Sequence, residues 1–283
     1  MPETPAPHEF HLHLVSDSTG ETVTLLARAC LVQYDDIQVH EHLWPMMRSA
    51  DQVKGVIEKI REHPGFVMCT LVNEEVRYAL EDGCRAIQVP CIPVLEPVVA
   101  ALGAYLNAKS HARPGRQHVM DAEYFNRIEA MQYALSHDDG QLARDLNEAD
   151  VILVGVSRTS KTPTCIYMAN RGIKAANIPI VPGCPLPEEL FAKNDPNGPM
   201  VVGLTNDPKR LIEIRRQRLR FLDQDPDTDY VNDEAVRDEV NNARRLYTKY
   251  GWPIINVSRR SIEETAATIM QLLARRRGED TYL

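Results

Sequence analysis

The chain has 283 residues, 43% hydrophobic and 25% charged, the composition of a soluble globular protein with room for one large or two modest domains. A net charge of -8 argues against a general nucleic-acid binder, which needs a basic face to release counterions. The start MPETPAPHEF has neither a basic nor an apolar signal region, and the longest apolar run, Val98 to Leu106, is too short to cross a bilayer. A cytoplasmic, non-membrane protein is expected. Cys30, Cys69, Cys84, Cys91, Cys165 and Cys184 form no C-x-x-C pair, so free thiols are expected rather than disulfides or a zinc site.

Residues 1 to 9 are Pro-rich and read as loose. His11 to Val15 alternates as a strand does, and Ser16-Asp17-Ser18-Thr19-Gly20 turns into a helix over about Glu21 to Gln33. The pattern repeats. Strand Ile37 to His42 leads to a helix from Ser49 to Glu62, strand Phe66 to Val72 to a helix capped by Asn73, and strand Ala86 to Val89 to an apolar segment ending near Asn107. Such alternation predicts a parallel sheet covered on both faces. The polar, basic segment 108–120, broken by Pro114 and Gly115, reads as a linker between a domain over 1–107 and another over 121–283.

In the second half, Asp121 is a candidate cap for a helix whose Tyr124, Ile128, Met131 and Leu135 share one face. That helix stops at Ser136-His137-Asp138-Asp139-Gly140. Val151 to Val154 fits a strand buried on both faces, followed by a loop and a helix closed by Gly172. Strands are predicted at Asn177 to Val181, Met200 to Leu204 and Pro253 to Val257. Helices are predicted after Asp207-Pro208, from Asn232 to Tyr250 before Gly251, and after the capping box Ser261 to Glu264, with an acidic loop over Asp223 to Asp229. No repeat with a period of 20 to 50 residues is visible.

The loop Gly155-Val156-Ser157-Arg158-Thr159-Ser160-Lys161-Thr162 reads G-x-x-x-x-S-K-T, a Walker A phosphate loop except for Ser160 in place of the second glycine. A phosphate site needs converging backbone N–H groups, a helix N-terminus behind them and a mobile cation. Gly155 would permit the tight turn, Lys161 would supply the cation, Thr162 would offer a hydroxyl to Mg²⁺, and Pro163 would stand at the first helical position. If position 160 requires a positive φ, Ser160 carries about 1–3 kcal/mol of strain. The competing interpretation is an ordinary capping turn with a solvated Lys161.

Other clusters carry less. His137 to Gly140 offers an imidazole and two carboxylates for proton transfer, phosphate positioning or Mg²⁺, or is simply a helix C-terminus. Asp17 to Thr22 falls at the carboxyl edge of the first sheet, where ligands bind, but lacks G-x-G-x-x-G. His11/His13 and His40/His42 pair imidazoles on strand faces without an evident third metal ligand. Arg215, Arg216, Arg218 and Arg220, with Arg275 to Arg277, suit an anionic substrate or acidic partner, or a solvated face; Leu211, Ile214 and Leu219 read as core.

Five stretches together, LVSDSTGET, ALSHDDG, GVSRTSKTP, AANIPIVPG and GLTNDPKRL, give the chain a resemblance to the bacterial pyruvate, phosphate dikinase regulatory proteins and their relatives acting on phosphoenolpyruvate synthase. The resemblance covers nearly the whole chain. It implies a bifunctional, ADP-dependent Ser/Thr protein kinase that phosphorylates a threonine beside the catalytic histidine of the dikinase, with AMP as the other product. The same family removes that phosphate with inorganic phosphate, releasing pyrophosphate. By the same resemblance, Gly155 to Thr162 is the nucleotide loop and His137 to Gly140 supplies the base, Asp139 first and His137 second; Thr159-Ser160 is closer to the dikinase branch. Mg²⁺ and a homo-oligomer are expected.

The fold expected is α/β: an N-terminal Rossmann-like parallel-sheet domain followed by a P-loop kinase-like α/β domain. A small-molecule kinase and a non-catalytic nucleotide sensor stand as the alternative functions.

Overall fold

A computed structural model describes residues 8–111, 114–115, 122–140, 145–191, 198–223 and 228–279. The chain divides into two compact units, Met1–Val119 and Met120–Leu283.

In the first unit, four strands, β1 (His8–Ser16), β2 (Ile37–Trp44), β3 (Gly65–Thr70) and β4 (Cys91–Pro93), form a parallel sheet in the order β2-β1-β3-β4. They alternate with α1 (Glu21–Leu31), α2 (Ala50–Glu62), α3 (Glu74–Ala86) and α4 (Glu96–Leu106). The period-two alternation of the strands sorts the faces. Val15, Val67 and Cys69 pack with Val53, Ile57 and Ile60 of α2 and with Leu80 of α3, whereas Leu12, Leu14 and Met68 meet Val23 and Ala27 of α1. A complete capping box, Ser49 with Gln52, fixes the start of α2.

The second unit opens with α5 (Ala122–Ser136) and continues through β5 (Val151–Gly155), α6 (Lys161–Ala169), β6 (Ala175–Pro179) and β7 (Met200–Thr205). It closes with α7 (Pro208–Phe221), α8 (Asp233–Tyr250), β8 (Ile254–Asn256) and α9 (Ile262–Arg277). Its parallel sheet runs β6-β5-β7-β8. Ile152 and Val154 of β5 pack with Leu211, Ile212, Val236 and Val240 of α7 and α8; Val151 and Leu153 pack with Cys165, Met168 and Ile269 of α6 and α9. Because β5 is buried throughout, its sequence is continuously apolar rather than alternating. Emptying one such site, for example Leu153→Ala, would cost about 2–5 kcal/mol.

Counted from its first strand, each sheet has the order 2-1-3-4, that of the flavodoxin-type doubly wound sheets. In this topology the chain reverses direction across the sheet between the first and third strands, and the crevice outside their carboxyl ends is where ligands bind. That edge carries the Asp17–Gly20 loop in one unit and the Gly155–Ser160 loop in the other.

Several expectations need correcting. Residues 86–89 are no strand: Ala86 ends α3, Gln88 turns at φ 58°, and the edge strand is Cys91–Pro93. The strand expected at 177–181 lies two residues earlier. His8 and Glu9 of the loose N-terminal stretch already belong to β1. The buried face of α5 is Ala130, Tyr133 and Ala134, while Leu135 is exposed. Small alanines let α5 approach the sheet closely, and a search for large apolar side chains passes over them. On α7 the core positions are Leu211, Ile212, Arg215 and Leu219, with Ile214 only half-buried. Residues 1–7, Asp121, much of the 108–120 segment and positions 224–227 of the acidic loop lie outside the described residues. All six cysteines are unpaired.

Candidate functional site

Gly155 ends β5, and the chain turns through Val156 to Ser160 into α6. Its glycine is needed for space rather than for the turn expected of it: a Cβ there would stand 2.7 Å from Thr159 Oγ1 and 3.0 Å from the Leu204 carbonyl of neighbouring β7. The turn is made instead by two non-glycine residues in the left-handed region, Arg158 at φ 71° and Ser160 at φ 60°. Ser160 is the N-cap of α6 and makes no side-chain capping bond, so the first N–H groups of α6 carry no such cap. Pro163 stands third in α6, still within the first turn, where the missing N–H costs no hydrogen bond.

The loop is held from inside. The buried Thr159 donates its hydroxyl to the Val156 carbonyl at 2.9 Å, and Thr164 donates to the Ser160 carbonyl at 2.7 Å. Lys161 is 5% exposed and donates Nζ to the same Val156 carbonyl at 3.2 Å. Burial pushes its pKa down to about 8, against the attraction of Asp139 and Asp138. The solvated Lys161 of the capping-turn alternative is thereby excluded. The ammonium sits in a desolvated position under the loop, where a bound anion would recover the missing charge partner.

Beside it lies a polar cluster. Asp138, Asp139 and Gly140 form a short 3₁₀ turn with Asp139 at φ 50°. Thr162 donates its hydroxyl to Asp138 Oδ1 at 2.8 Å. Asn177 of β6, 1% exposed, directs its Nδ2 at Asp138 Oδ1 (2.5 Å), Thr162 Oγ1 (2.9 Å) and, more distantly, Asp139 Oδ1 (3.4 Å). Among the described residues its Oδ1 is buried without a hydrogen-bond partner, and its backbone N–H donates to the His137 carbonyl at 3.0 Å. Asp138 is thus engaged twice, whereas Asp139 is exposed and keeps its carboxylate open beside Lys161. His137 is buried, stacks on Tyr133 at 3.9 Å and has Nδ1 2.9 Å from the Tyr133 carbonyl.

From outside, Arg215 of α7 holds the loop. It is buried, forms a two-pronged ion pair with Glu239 of α8 (2.8 and 3.0 Å), and donates to the carbonyls of Ser157 (3.2 Å) and Tyr230 (3.1 Å). The Tyr230 ring lies under its guanidinium at 4.3 Å, and Tyr230 OH is 3.0 Å from Ser157 Oγ.

A family model described as Kinase/pyrophosphorylase matches residues 12–270. The chain belongs to the kinase/pyrophosphorylase family. Among its relatives, a protein of Paramagnetospirillum magneticum is 56% identical over 266 residues, spanning 94% of this chain and 85% of the relative. Others are from Rhodospirillum rubrum, 54% identical with 93% and 94% covered, and from Caulobacter vibrioides, 52% identical with 95% and 85% covered. Each is provisionally named a pyruvate, phosphate dikinase regulatory protein.

Within this kinase/pyrophosphorylase chain, the structure brings together Gly155 to Thr162, Asp138 and Asp139, with His137 one layer behind them. One residue, Asn177, escaped the sequence reading as a site member, and two others were given different parts. Asn177 lies inside the stretch AANIPIVPG, but a single asparagine in a strand gives no local signal. Asp138 belonged to the expected cluster His137 to Gly140, but the role of base was given to Asp139 first and His137 second. Arg215 looked like one charge of a solvated run, and its partner Glu239 is 24 residues away.

Proposed function

We propose that this member of the kinase/pyrophosphorylase family is a bifunctional, ADP-dependent Ser/Thr protein kinase and phosphate-dependent phosphorylase acting on pyruvate, phosphate dikinase. The buried Lys161 under an uncapped helix N-terminus is the observation that carries the reading. In the forward direction the threonine hydroxyl of the dikinase attacks the β-phosphorus of ADP, the bond to the α-phosphate oxygen breaks, and AMP leaves. In reverse, inorganic phosphate attacks the phosphothreonine and pyrophosphate leaves, returning the hydroxyl. Both directions place one phosphoryl group between two oxygens, so a single nest of N–H groups with one cation suits both.

The roles follow from position. The backbone of Val156 to Ser160 and the start of α6 cradle the phosphates, and Lys161 balances the charge that shifts during transfer. Asp139, with its open carboxylate, takes the proton from the threonine hydroxyl; His137 fixes the turn that presents it. Thr162 and Asp138 fit a Mg²⁺ site completed by phosphate oxygens, and the unpartnered Asn177 Oδ1 beside them is a further oxygen for a bound water. Mg²⁺ bound there would neutralise phosphate charge. Among the described residues no set of three His, Cys, Asp or Glu side chains is arranged as a closed metal site, which suits a cation shared with substrate.

We also propose a cytoplasmic homo-oligomer. Among the described residues no helix is long and apolar enough to cross a membrane. α4 has no buried residue and exposes Val98, Leu102, Tyr105 and Leu106, a surface suited to self-association that sedimentation equilibrium would test. The deciding experiment for function mixes the protein with pyruvate, phosphate dikinase and β-labelled ADP, with γ-labelled ATP in parallel, and locates the label by mass spectrometry. Label from ADP on a threonine, released by phosphate as pyrophosphate, is the expected result. Transfer only to phosphoenolpyruvate synthase would change the partner. Transfer from ATP to a metabolite would make the chain a small-molecule kinase, and tight ADP binding without turnover would make it a sensor.

A further inference from the structure

The first unit carries a ligand-sized cleft at the carboxyl edge of its own sheet, outside the β1/β3 reversal. A cavity of about 420 Å³ is lined by Leu71, Arg77, Leu95, Val99 and Ala100, and a smaller one of about 170 Å³ by Ser16, Asp17, Ser18, Thr22 and Thr70. The two share Val72 and Leu95 as a common wall. Three independent features point to a missing partner. Arg77 is 8% exposed, and its buried Nε has no hydrogen-bond partner among the described residues; the guanidinium lies 5.1 Å from the Tyr78 ring centroid, and Glu81 Oε1 stands 3.6 Å from Nε, an ion-pair distance too long for a hydrogen bond. Thr70, 4% exposed, has a hydroxyl with no partner. The N-terminus of α1 has Gly20 as N-cap at φ 87° and no side-chain cap.

A buried guanidinium Nε–H without an acceptor is costly, and the planar fork it belongs to matches a carboxylate or phosphate. Charge chooses between them. Asp17, Glu74 and Glu96 also border the two cavities and Glu81 pairs with Arg77, so the cleft disfavours a dianion and leaves room for a single negative charge at most. We infer that the cleft binds a small hydroxy-substituted monocarboxylate. Its carboxylate lies on Arg77, its carbon body on Leu71, Leu95 and Val99, and its hydroxyl on the Thr70 side. The residues that line the cleft all belong to the first unit.

Isothermal titration of the full chain with lactate, 3-hydroxybutyrate, butyrate and glycerol 3-phosphate tests this. Saturable one-to-one binding of at least one hydroxy acid is expected, weakened at least tenfold by Arg77→Gln, unchanged by Lys161→Ala, and weakened by Thr70→Val for the hydroxy acid but not for butyrate. Should Arg77→Gln fail to fold by circular dichroism, Arg77→Lys keeps the charge without the fork and is expected to weaken binding by the same order. The inference is overturned by absence of saturable binding of both hydroxy acids, by unchanged affinity in the Arg77 variants, or by glycerol 3-phosphate binding more tightly than either acid.

Discussion

Lys161→Met separates what the lysine costs the fold from what it gives the site. The pKa of Lys161 falls from 10.5 in the unfolded chain to about 8 in the folded one, chiefly through burial. At 1.36 kcal/mol per unit, that displacement of about 2.5 units corresponds to about 3 kcal/mol of charge-burial cost. The sign follows from proton binding. Below pH 8 both states hold the proton and folding bears the whole cost; between pH 8 and 10.5 the folded state releases its proton first and the cost disappears. Methionine has nearly the same length and no charge to bury, and the Val156 carbonyl keeps its bond from Thr159. We therefore expect ligand-free Lys161→Met to be more stable than the wild type by about 2–3 kcal/mol at pH 7.5, measured by urea unfolding, with the difference narrowing towards pH 10. Saturating ADP should reverse the order: about 2.7 kcal/mol of stabilisation at a hundredfold excess over Kd for the wild type, and little for the variant. A variant no more stable than the wild type at pH 7.5 would refute the account of Lys161 as a buried, unneutralised cation.

Four further outcomes are expected. Asp139→Asn should slow phosphoryl transfer by about 10²–10⁴-fold while leaving ADP affinity nearly intact; parallel losses in both would make it a binding residue. Arg215→Ala leaves the half-buried Glu239 without its cation and the Ser157 carbonyl without its donor, and should cost about 3 kcal/mol and weaken ADP binding; wild-type affinity for ADP in the folded variant would remove Arg215 as a support of the loop. Ser160→Gly relieves a left-handed residue and should raise stability by about 1 kcal/mol, read as an increase in urea midpoint. In the first unit, His13 donates Nε2 to the His63 carbonyl at 2.8 Å and accepts from Trp44 Nε1 at 3.2 Å, and burial with neighbouring His42, His11 and His63 lowers its pKa. A lowered histidine pKa gives stability that is complete above 6.5 and declines as the pH falls below it, so the urea midpoint should drop between pH 7 and 5.5, and a flat profile would count against the neutral assignment.

What could be read in the sequence was what local chemistry determines. The four-residue apolar run of β5 announces a strand buried on both faces, Asp207 and Ser261 announce helix starts, and the loop from Gly155 to Ser160 announces the turn from β5 into α6. What stayed hidden depends on contacts distant in sequence. Asn177 becomes a site residue only because β6 pairs with β5 in a register that sets it opposite Leu153, one strand away from the loop. Arg215 reads as surface until α8 brings Glu239 against it. The histidines of β1 and β2 looked like unrelated pairs. Parallel pairing in register, His11 with His40 and His13 with His42, instead gathers them, with His63, into one group of stacked and tilted rings.

The repeated strand order also bears on where phosphoryl chemistry can occur. In each unit the first strand runs into a loop ending on a left-handed N-cap without a side-chain cap, Gly20 at φ 87° and Ser160 at φ 60°. The next two residues are Glu21 and Thr22 in one unit and Lys161 and Thr162 in the other. The backbone device is shared, but the charge at the first helical position is reversed. A carboxylate there repels the β-phosphate of a nucleotide where an ammonium attracts it, and the difference is larger still once water is excluded. Gly20 is held by its left-handed backbone at φ 87°, the region in which Ser160 also sits at φ 60°. The first loop therefore lacks the charge at this position that is proposed to hold phosphate in the second. Glu21→Lys should leave it unable to support transfer from ADP, because among the described residues Thr22 has no hydrogen-bonded carboxylate and asparagine partners like the Asp138 and Asn177 of Thr162; transfer surviving in an Lys161→Ala, Glu21→Lys double variant would show that the cation alone makes the site.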